Sequence, residues 1–401
     1  MKRRGCTLYK LALFVAAMAV LIASSTRLRA DSGTCGGVTT TLPFMDVMGN
    51  AFFCQIAEAY FSGLTNGTSA TTYSPTANVP REQMAAFITR TMDQSLRRGS
   101  RRAALEQWYT PTSSLSLART TVGDGPEQVR SDGADLWVTS FGSNTVSRVR
   151  ASDGKLLETW TDAFSASGVV VARGRVYATG SFSPGRLYEI NPTQPAGDVT
   201  LIANTLGAFP HGIAFDGFNI WTANLGAGLN MGSVSRIDPV GGFVNTFAAG
   251  FNQPIGILYD GTNIWVADKE ANILLKLNSV GVILQTVFVG ITPLRPVFDG
   301  TNIWVPNFLT NSVSVVRAST GAVLATLTGN GLDNPVAAAF DGERVLVTNN
   351  GGDSVSLWKA ADLTPLGSFP TGTNSGPRGA CSDGLNFWIT SEGNPGKLVR
   401  F

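Results

Sequence analysis

The sequence has few of the residues on which metal sites and acid–base catalysis most often depend. It contains one His and four Cys in 401 residues, and these do not cluster, so a zinc site of the usual kind is excluded. Charged residues make up 14% and the formal net charge is +2, which gives no reason to expect a nucleic-acid partner. What is abundant is glycine, with 45 residues, which is typical of apolar strands joined by tight turns.

Residues 1–30 predict an export signal. Basic residues precede the apolar run Leu11–Ala23, and small residues follow it up to Ala30. The run is shorter than the roughly 20 residues that cross a bilayer as a helix, so cleavage near Ala30 is favoured over a permanent anchor. We therefore expect an exported protein of the cell wall or envelope surface, with no transmembrane anchor after cleavage. The periplasm and the medium are alternative locations.

Three cysteines remain after cleavage, because Cys6 leaves with the signal. In an oxidising compartment Cys35 and Cys54 can close a short loop, and such a disulfide stabilises by about 3 kcal/mol. Cys381 lies in an apolar strand pattern, which predicts a buried free thiol.

Residues 31–95 are expected to form a separate small module, and its stretch 43–94 has helical character. Phe53, Ile56 and Tyr60 fall at helical spacing, and Pro80 opens a second apolar run at the same spacing. The stretches "FMDV", "GLTNGT", "YSP" and "VPREQMAAFITR" resemble the S-layer homology module, a helix-loop-helix unit that attaches exported bacterial proteins to cell-wall polymers.

The resemblance implies a partner, cell-wall polysaccharide or peptidoglycan, and a binding position. In the family a Thr-Arg-Ala-Glu signature begins the second helix, and its Arg contacts anionic wall carbohydrate. The matching residues here are Pro80, Arg81, Glu82 and Gln83, so Arg81 and Glu82 are the candidate wall-binding residues. The alternative is that Arg81 is a solvated residue at a helix start.

Residues 96–116 form a basic linker. Wall phosphates or acidic lipids could contact its arginines, although such a run is more often the solvated face of a helix. No aromatic residues alternate with these charges as they do where bases stack. The arginines are Arg97, Arg98, Arg101 and Arg102.

A repeat fills residues 117–401. Seven copies of a pattern such as "FDGTNIWVPN" recur, and their turn glycines are 39 to 44 residues apart. A period near 40 with four short strands per copy predicts a seven-bladed β-propeller, so the chain is mainly β with a small α-helical module at its N-terminus. The turn glycines are Gly133, Gly174, Gly217, Gly261, Gly300, Gly342 and Gly384.

The register within each copy is nearly constant. An aromatic or Leu four residues after the glycine predicts a buried shell between blades, and the second copy is one residue shorter there, with Tyr177. Six copies have a Pro seven residues before the glycine, which suits the entry to an inner strand, and Ser167 replaces it in the second copy. The chain ends on a third strand, so the segment 117–125 is expected to complete the last blade.

The repeats resemble YVTN and NHL-like propellers and, more distantly, the streptogramin lyases, which are also seven-bladed. That family has a catalytic His after the entry proline, a Glu three residues past the Trp of the same blade, a second His and a magnesium ion. Here His211 follows Pro210, but Asn224 stands where the Glu would be and no second His exists. Asn cannot accept a proton or bring full negative charge to a metal.

Ring geometry predicts a candidate site at one mouth of the central channel. There the residues after the entry prolines meet the residues that follow the Trp positions. Repeated Asn and Asp at strand ends are alternatively ordinary turn residues. Glu127 with Glu270 or Glu392 could also form a glycosidase-like carboxylate pair. The candidates are Glu127, His211, Asn224, Asp268, Glu270, Arg295, Asn307, Asn349, Arg378 and Glu392.

No catalytic motif supports an enzyme, because both the G-x-S-x-G nucleophile elbow and a glycine-rich phosphate loop are missing. The sequence therefore favours a non-catalytic binding or scaffold propeller that an S-layer-homology-like module attaches to the wall, with no cofactor and no catalytic residue or metal ligand assigned. The propeller's partner would be a protein, a glycan or a small ligand. The alternative is an enzyme, either of the streptogramin-lyase type, which cleaves a C–O bond, or acting on carbohydrate.

Overall fold

The computed structural model describes residues 30–35, 38–61, 65, 67–81, 84–85, 88, 119–393 and 395–401. These residues belong to two compact units, one within Met1–Ser100 and one within Arg101–Phe401. The predicted signal and the basic linker lie outside the described residues, apart from Ala30. No helix within the described ranges is long and apolar enough to span a membrane.

The N-terminal unit combines a hairpin with one short helix. Strands β1 (Asp31–Cys35) and β2 (Val38–Leu42) pair antiparallel, and helix α1 spans Phe53–Phe61. The predicted disulfide between Cys35 and Cys54 joins β1 to α1. A small apolar core lies beneath them, formed by Leu42, Phe44, Val47, Phe53, Ile56 and Ala57.

Two of the motifs that resemble the S-layer homology module meet through Asp46. Its carboxylate accepts hydrogen bonds from the backbone N–H groups of Tyr73 (2.8 Å) and Ser74 (2.7 Å), so "FMDV" holds the "YSP" loop. In the second predicted helix, Arg81 and Met84 are helical, and the Met84 N–H donates to Pro80 O at 3.0 Å. Glu82 lies outside the described residues.

The second unit is a propeller of seven four-stranded antiparallel sheets, which confirms the predicted fold. In each of the first three blades the strands follow one another in chain order from the channel to the outer edge. Blade 1 has β4 (Pro126–Ser131), β5 (Asp135–Ser140), β6 (Thr145–Arg150) and β7 (Leu156–Trp160). Blade 2 has β8 (Ala166–Ala172), β9 (Arg175–Gly180), β10 (Gly185–Ile190) and β11 (Thr200–Leu206). Blade 3 has β12 (Pro210–Phe215), β13 (Ile220–Asn224), β14 (Ser233–Ile237) and β15 (Val244–Phe247).

The remaining blades follow the same order. Blade 4 has β16 (Pro254–Tyr259), β17 (Ile264–Asp268), β18 (Ile273–Leu277) and β19 (Ile283–Phe288). Blade 5 has β20 (Val297–Phe298), β21 (Asn302–Asn307), β22 (Ser312–Arg317) and β23 (Val323–Thr328). Blade 6 has β24 (Pro335–Phe340), β25 (Arg344–Asn349), β26 (Ser354–Lys359) and β27 (Pro365–Pro370). Blade 7 has β28 (Pro377–Ser382), β29 (Phe387–Ser391), β30 (Lys397–Arg400) and, as its outer strand, β3 (Arg119–Thr121).

The ring closes between the two ends of this unit, as the sequence predicts. Strand β3 pairs antiparallel with β30, and Thr120 lies opposite Leu398. The Thr120 hydroxyl also donates to Gly154 O at 2.5 Å, which ties the last blade to the first. Closure of this kind pairs β30 with β29 on one side and with β3 on the other, so β30 has no exposed edge.

In five of the seven blades the Asp-Gly turn and the Trp of the repeat form one hydrogen-bonded unit. In blade 5 one oxygen of Asp299 accepts from the backbone N–H of Thr301 and Asn302, and the other accepts from the Trp304 indole at 2.7 Å. Blades 1, 3, 4 and 7 repeat the bond to the indole. The carboxylate thus satisfies the one polar atom of a fully buried ring, and the predicted buried shell is confirmed.

Candidate functional site

One residue from the inner segment of each blade contributes to a ring at one mouth of the channel, which we call the mouth ring. In each blade one residue of the inner segment pairs with the last residue of the second strand, as Pro126 does with Ser140 and Pro210 with Asn224. The mouth-ring residue is the next one along the chain. A register shift follows at that point in most blades. The mouth ring consists of Glu127, Ser167, His211, Ile255, Leu294, Val336 and Arg378.

Ser167 belongs to this ring, so the prediction that it replaces the entry proline is wrong. Ala166, not Ser167, pairs with Gly180 in the way that Pro126 pairs with Ser140. The physical reason is the turn of blade 2, where β8 and β9 pair as far as Ala172 and Arg175 and leave a two-residue turn. Both turn residues have positive φ, which matches the twist of a tight hairpin and places its glycine one position later than in the other blades.

Hydrogen bonds between neighbouring blades support this register. A Thr on the second strand donates to the carbonyl of a mouth-ring residue in the next blade: Thr139 to Ser167 (2.6 Å), Thr348 to Arg378 (2.9 Å) and Thr390 to Glu127 (3.4 Å). Ser167 therefore occupies the same structural position as Glu127 and Arg378.

The mouth ring surrounds a cavity of about 200 Å³, which we call the mouth cavity. Six of the seven ring residues line it, together with Arg295, Phe308 and Asn350. The apolar contribution comes from Ile255, Leu294, Val336 and Phe308, and the charged groups are those of Glu127, Arg295 and Arg378. The cavity thus combines an apolar wall with a fixed set of ionised groups, which is the usual composition of a small-ligand site.

Glu127 is the central charged residue of the mouth cavity. Its two carboxylate oxygens accept hydrogen bonds from Arg295 Nη2 at 2.6 Å and from Arg378 Nη1 at 2.8 Å. Burial alone would raise the pKa of Glu127, but the two guanidinium groups outweigh it and hold this pKa below its ordinary value. Glu127 is therefore ionised at neutral pH, and each of its carboxylate oxygens already accepts a hydrogen bond from an arginine.

His211 lies beside this cluster and is neutral. Its Nδ1 lies 3.0 Å from Ser167 Oγ, and the two share a hydrogen bond. Burial and the nearby charge of Arg295 lower the pKa of His211 to about 4, although Glu127 acts in the opposite direction. Ser167 is fully buried, so its hydroxyl cannot reach a substrate as a nucleophile. The pair orients the imidazole rather than forming a catalytic dyad.

Six of the ten predicted mouth residues do not line the cavity, and four of these six are fully buried. Asn224, Asn307 and Asn349 are fully buried, and the amide of each donates to two Ser hydroxyls of the third strand. Asp268 is also fully buried, and it accepts from the backbone N–H groups of Asn252 and Gln253. Their placement as channel-mouth ligands is corrected accordingly. These side chains hydrogen-bond groups near the strand ends, because an unpaired polar group buried inside a blade would destabilise the fold.

The two other predicted glutamates lie in ion pairs. Glu392 Oε1 is 2.5 Å from Arg378 Nε, so Arg378 contacts both Glu392 and Glu127. Glu270 is more exposed and lies 3.6 Å from its neighbour Lys269. The lowered pKa of Glu127 does not suit the protonated general acid of a glycosidase, and both of its oxygens are already paired with arginines.

The residues at the equivalent of the lyase site do not fit a magnesium ion. Asn224 sits where that family has a carboxylate, and its amide nitrogen is committed to Ser233 and Ser235. Among the described residues, His, Cys, Asp and Glu form no group of three or more that could hold a metal.

Of the two predicted wall-binding residues, Arg81 and Glu82, the structure describes Arg81, which is exposed on the N-terminal unit. Cys381, in contrast, is a buried free thiol, as its apolar strand pattern predicts, and burial raises its pKa to about 12. Its thiol is therefore neutral and inert at physiological pH.

Known structures share the fold of this chain. No protein-family model matches it, and no curated protein matches its sequence. A catalytically inactive variant of virginiamycin B lyase from Staphylococcus aureus, solved with quinupristin, superposes with a TM-score of 0.59 at 17% identity, over 71% of this chain and 98% of the lyase. A streptogramin B lyase gives 0.57 at 15% identity, over 71% and 97%. Hydrazine synthase from Kuenenia stuttgartiensis gives 0.59 at 17% identity, over 73% and 99%. At these identities the similarity shows the propeller fold alone.

Proposed function

We propose that this chain is an exported cell-envelope protein whose propeller binds a ligand in the mouth cavity without transforming it, and whose N-terminal unit attaches it to the cell wall. The observation that carries the proposal is the double ion pair of Glu127 with Arg295 and Arg378. A general base works best with a pKa near the operating pH, and both Glu127 and His211 have pKa values well below it.

The same features favour binding. The charged groups are held in place before a ligand arrives, so little side-chain entropy is lost on association. Arg378 keeps about a third of its side chain exposed, and it can therefore donate to an acceptor on the ligand. The apolar wall of Ile255, Leu294 and Val336 suits an apolar group beside that acceptor. The ligand is a small molecule, or one projecting group of a glycan or protein.

Two observations support export. The Cys35–Cys54 disulfide belongs in an oxidising compartment, and the predicted signal precedes it directly. Attachment to the wall rests on the resemblance to the S-layer homology module and on the exposed cation at Arg81. An exposed guanidinium can pair with the carboxylates or phosphates of an anionic wall polymer.

Attachment is tested with the full mature protein and purified cell walls. We expect the protein to sediment with the walls and Arg81→Ala to sediment less. Arg150→Ala, which removes an exposed arginine of the propeller, is the matched control and should behave as the unmodified protein does. Failure of the unmodified protein to sediment would contradict attachment, and equal retention of Arg81→Ala would remove Arg81 from it.

Ligand binding is tested with a mixture of small fragments from digested cell walls, using equilibrium dialysis and mass spectrometry. Leu294→Trp fills the mouth cavity, whereas Leu309→Trp places the same ring at an exposed position. We expect a fragment to be retained by the protein and by Leu309→Trp, but not by Leu294→Trp. Equal retention by the unmodified protein and both variants would contradict binding in the mouth cavity, and conversion of a retained fragment would contradict the non-catalytic assignment.

The enzyme alternative has a direct test as well. A cyclic depsipeptide of the streptogramin B type is incubated with the protein and magnesium, and linear product is sought. We expect none, because the carboxylate position is Asn224. Turnover that His211→Ala abolishes would establish lyase chemistry instead.

A further inference from the structure

Arg130 carries a positive charge inside the central channel. It lies on β4 and lines a second cavity, of about 20 Å³, with Gln128, Arg295 and residues of the neighbouring inner strands. Its Nη1 donates to the carbonyl oxygens of Val129 and Ala380, both at 3.3 Å. Among the residues that the structure describes, Arg130 forms no ion pair with a carboxylate.

Within the part of the chain that the structure describes, no nearby acidic group balances this charge. The two carboxylates of the mouth, Glu127 and Glu392, are shared between Arg295 and Arg378. Cys381 lies beside Arg130, but its raised pKa keeps the thiol neutral. Burial, partly offset by Cys381, and the charge of Arg295 lower the pKa of Arg130. An arginine nevertheless does not give up its proton in a protein. The channel thus contains more arginine than carboxylate charge.

Arg295, which lines the same cavity, has a donor without a partner among the described residues. Its Nη2 binds Glu127, but its Nε is buried and has no hydrogen-bond partner. A buried donor of a charged group that stays unpaired is strongly unfavourable, so it calls for an acceptor. Arg130 and Arg295 line one cavity, and neither Arg130 nor the Nε of Arg295 has a carboxylate partner among the described residues.

We propose that the central channel binds one small monovalent inorganic anion, of the size of chloride, between the guanidinium groups of Arg130 and Arg295. The cavity limits the size of this ion. About 10–15 Å³ accommodates one water molecule, so a cavity of about 20 Å³ suits an anion of a single atom. The anion would neutralise the channel and fix Arg295, which in turn holds Glu127 at the mouth.

Bromide provides the direct test, because it replaces chloride and scatters anomalously. Crystals of the unmodified mature protein are grown in bromide, and an anomalous peak is expected within contact distance of both guanidinium groups. Density with no anomalous signal there would identify a water molecule and overturn the proposal. This test needs no variant and is independent of the wall-binding and mouth-cavity experiments.

A solution measurement adds the affinity. The Tm is followed with rising chloride at constant ionic strength set with gluconate. We expect a rise of about 3 °C at ten times the Kd. Arg130→Gln should abolish this dependence, and Arg150→Gln, at an exposed site, should keep it. If the Tm of the unmodified protein stays constant as chloride replaces gluconate, the proposal is wrong, whether or not Arg130→Gln folds.

Discussion

Glu127 and Arg295 lie 168 positions apart in the sequence, and their side chains meet at 2.6 Å across the mouth of the propeller. Glu127 follows the entry proline of blade 1, and Arg295 lies two residues after that of blade 5. The contact spans the ring rather than joining neighbouring blades. It therefore depends on the closure of all seven blades, and it sets both the charge and the chemistry of the mouth cavity.

Glu127→Gln is expected to destabilise the propeller by about 3 kcal/mol at pH 7, because it leaves Arg295 and Arg378 without their shared carboxylate. The free energy of unfolding is measured by urea denaturation. The control Glu158→Gln disrupts a more exposed pair with Arg148 and should cost about 1 kcal/mol or less. An equal decrease in the free energy of unfolding in the two variants would show that the double ion pair stabilises the fold no more than an exposed ion pair does.

The same pair gives a pH dependence of known sign. Because the pKa of Glu127 is lower in the folded protein, its contribution is complete above the unfolded pKa of about 4.3 and is lost as pH falls through the folded pKa. The difference in stability between the unmodified protein and Glu127→Gln should therefore shrink below pH 4.3. A difference that stays constant down to pH 3 would contradict the lowered pKa.

His211 allows a measurement of unusual simplicity, since it is the only His in the chain. Its imidazole should give one resolved NMR signal that titrates with a pKa of about 4. Between pH 6.5 and 4 the unfolded chain binds a proton that the folded chain does not, so stability decreases as pH falls through this window. His211→Gln should remove that part of the pH dependence, and a titration near pH 6.5 would place the ring in solvent.

Closure of the ring is tested at Thr120, the centre of β3. Thr120→Pro brings a ring without an N–H into the outer strand of blade 7, and we expect a large fall in Tm. Thr120→Val keeps a good strand residue and removes only the hydroxyl bond to Gly154, so it should cost about 1 kcal/mol. A Pro variant as stable as the Val variant would mean that β3 contributes little to closure.

The carboxylate of the repeat turn is tested at Asp299. Asp299→Ala removes the bonds to two backbone N–H groups and leaves the buried Trp304 indole unpaired, which should cost about 2–3 kcal/mol. Trp fluorescence and urea unfolding report the change. Glu343→Ala, in the corresponding turn of blade 6, alters an exposed residue and should leave the stability nearly unchanged.

Blade number, strand order and closure could be predicted because they follow from local signals that repeat. Every copy contains a turn glycine, six of the seven contain a buried aromatic and six an entry proline, and the last repeat supplies three of the four strands of blade 7. The one error of register, at Ser167, arose where the turn of blade 2 changes type, since counting from Gly174 assumes that all turns are alike. Pairing of Ala166 with Gly180 could be established only from the sheet.

The candidate site was predictable in part. Counting from the prolines places Glu127, His211 and Arg378 at one mouth, and these do line one cavity. Counting from the Trp positions fails for Asn224, Asp268, Asn307 and Asn349, because sequence position fixes the strand end but not the direction of a side chain. The bulge after each entry proline and the Ser pairs on the third strand decide that direction.

The amino-acid sequence by itself determined a closed seven-bladed ring and an N-terminal unit with an internal disulfide. The ring follows from the sequence because the turns and buried aromatics of each repeat form from residues close together in the chain. Only the tertiary structure decided which charges meet in the mouth and which stay without a counter-charge in the channel. The reason is that electrostatic pairing depends on distances across the ring, and residues as remote as Glu127 and Arg295 become neighbours only once the ring has closed.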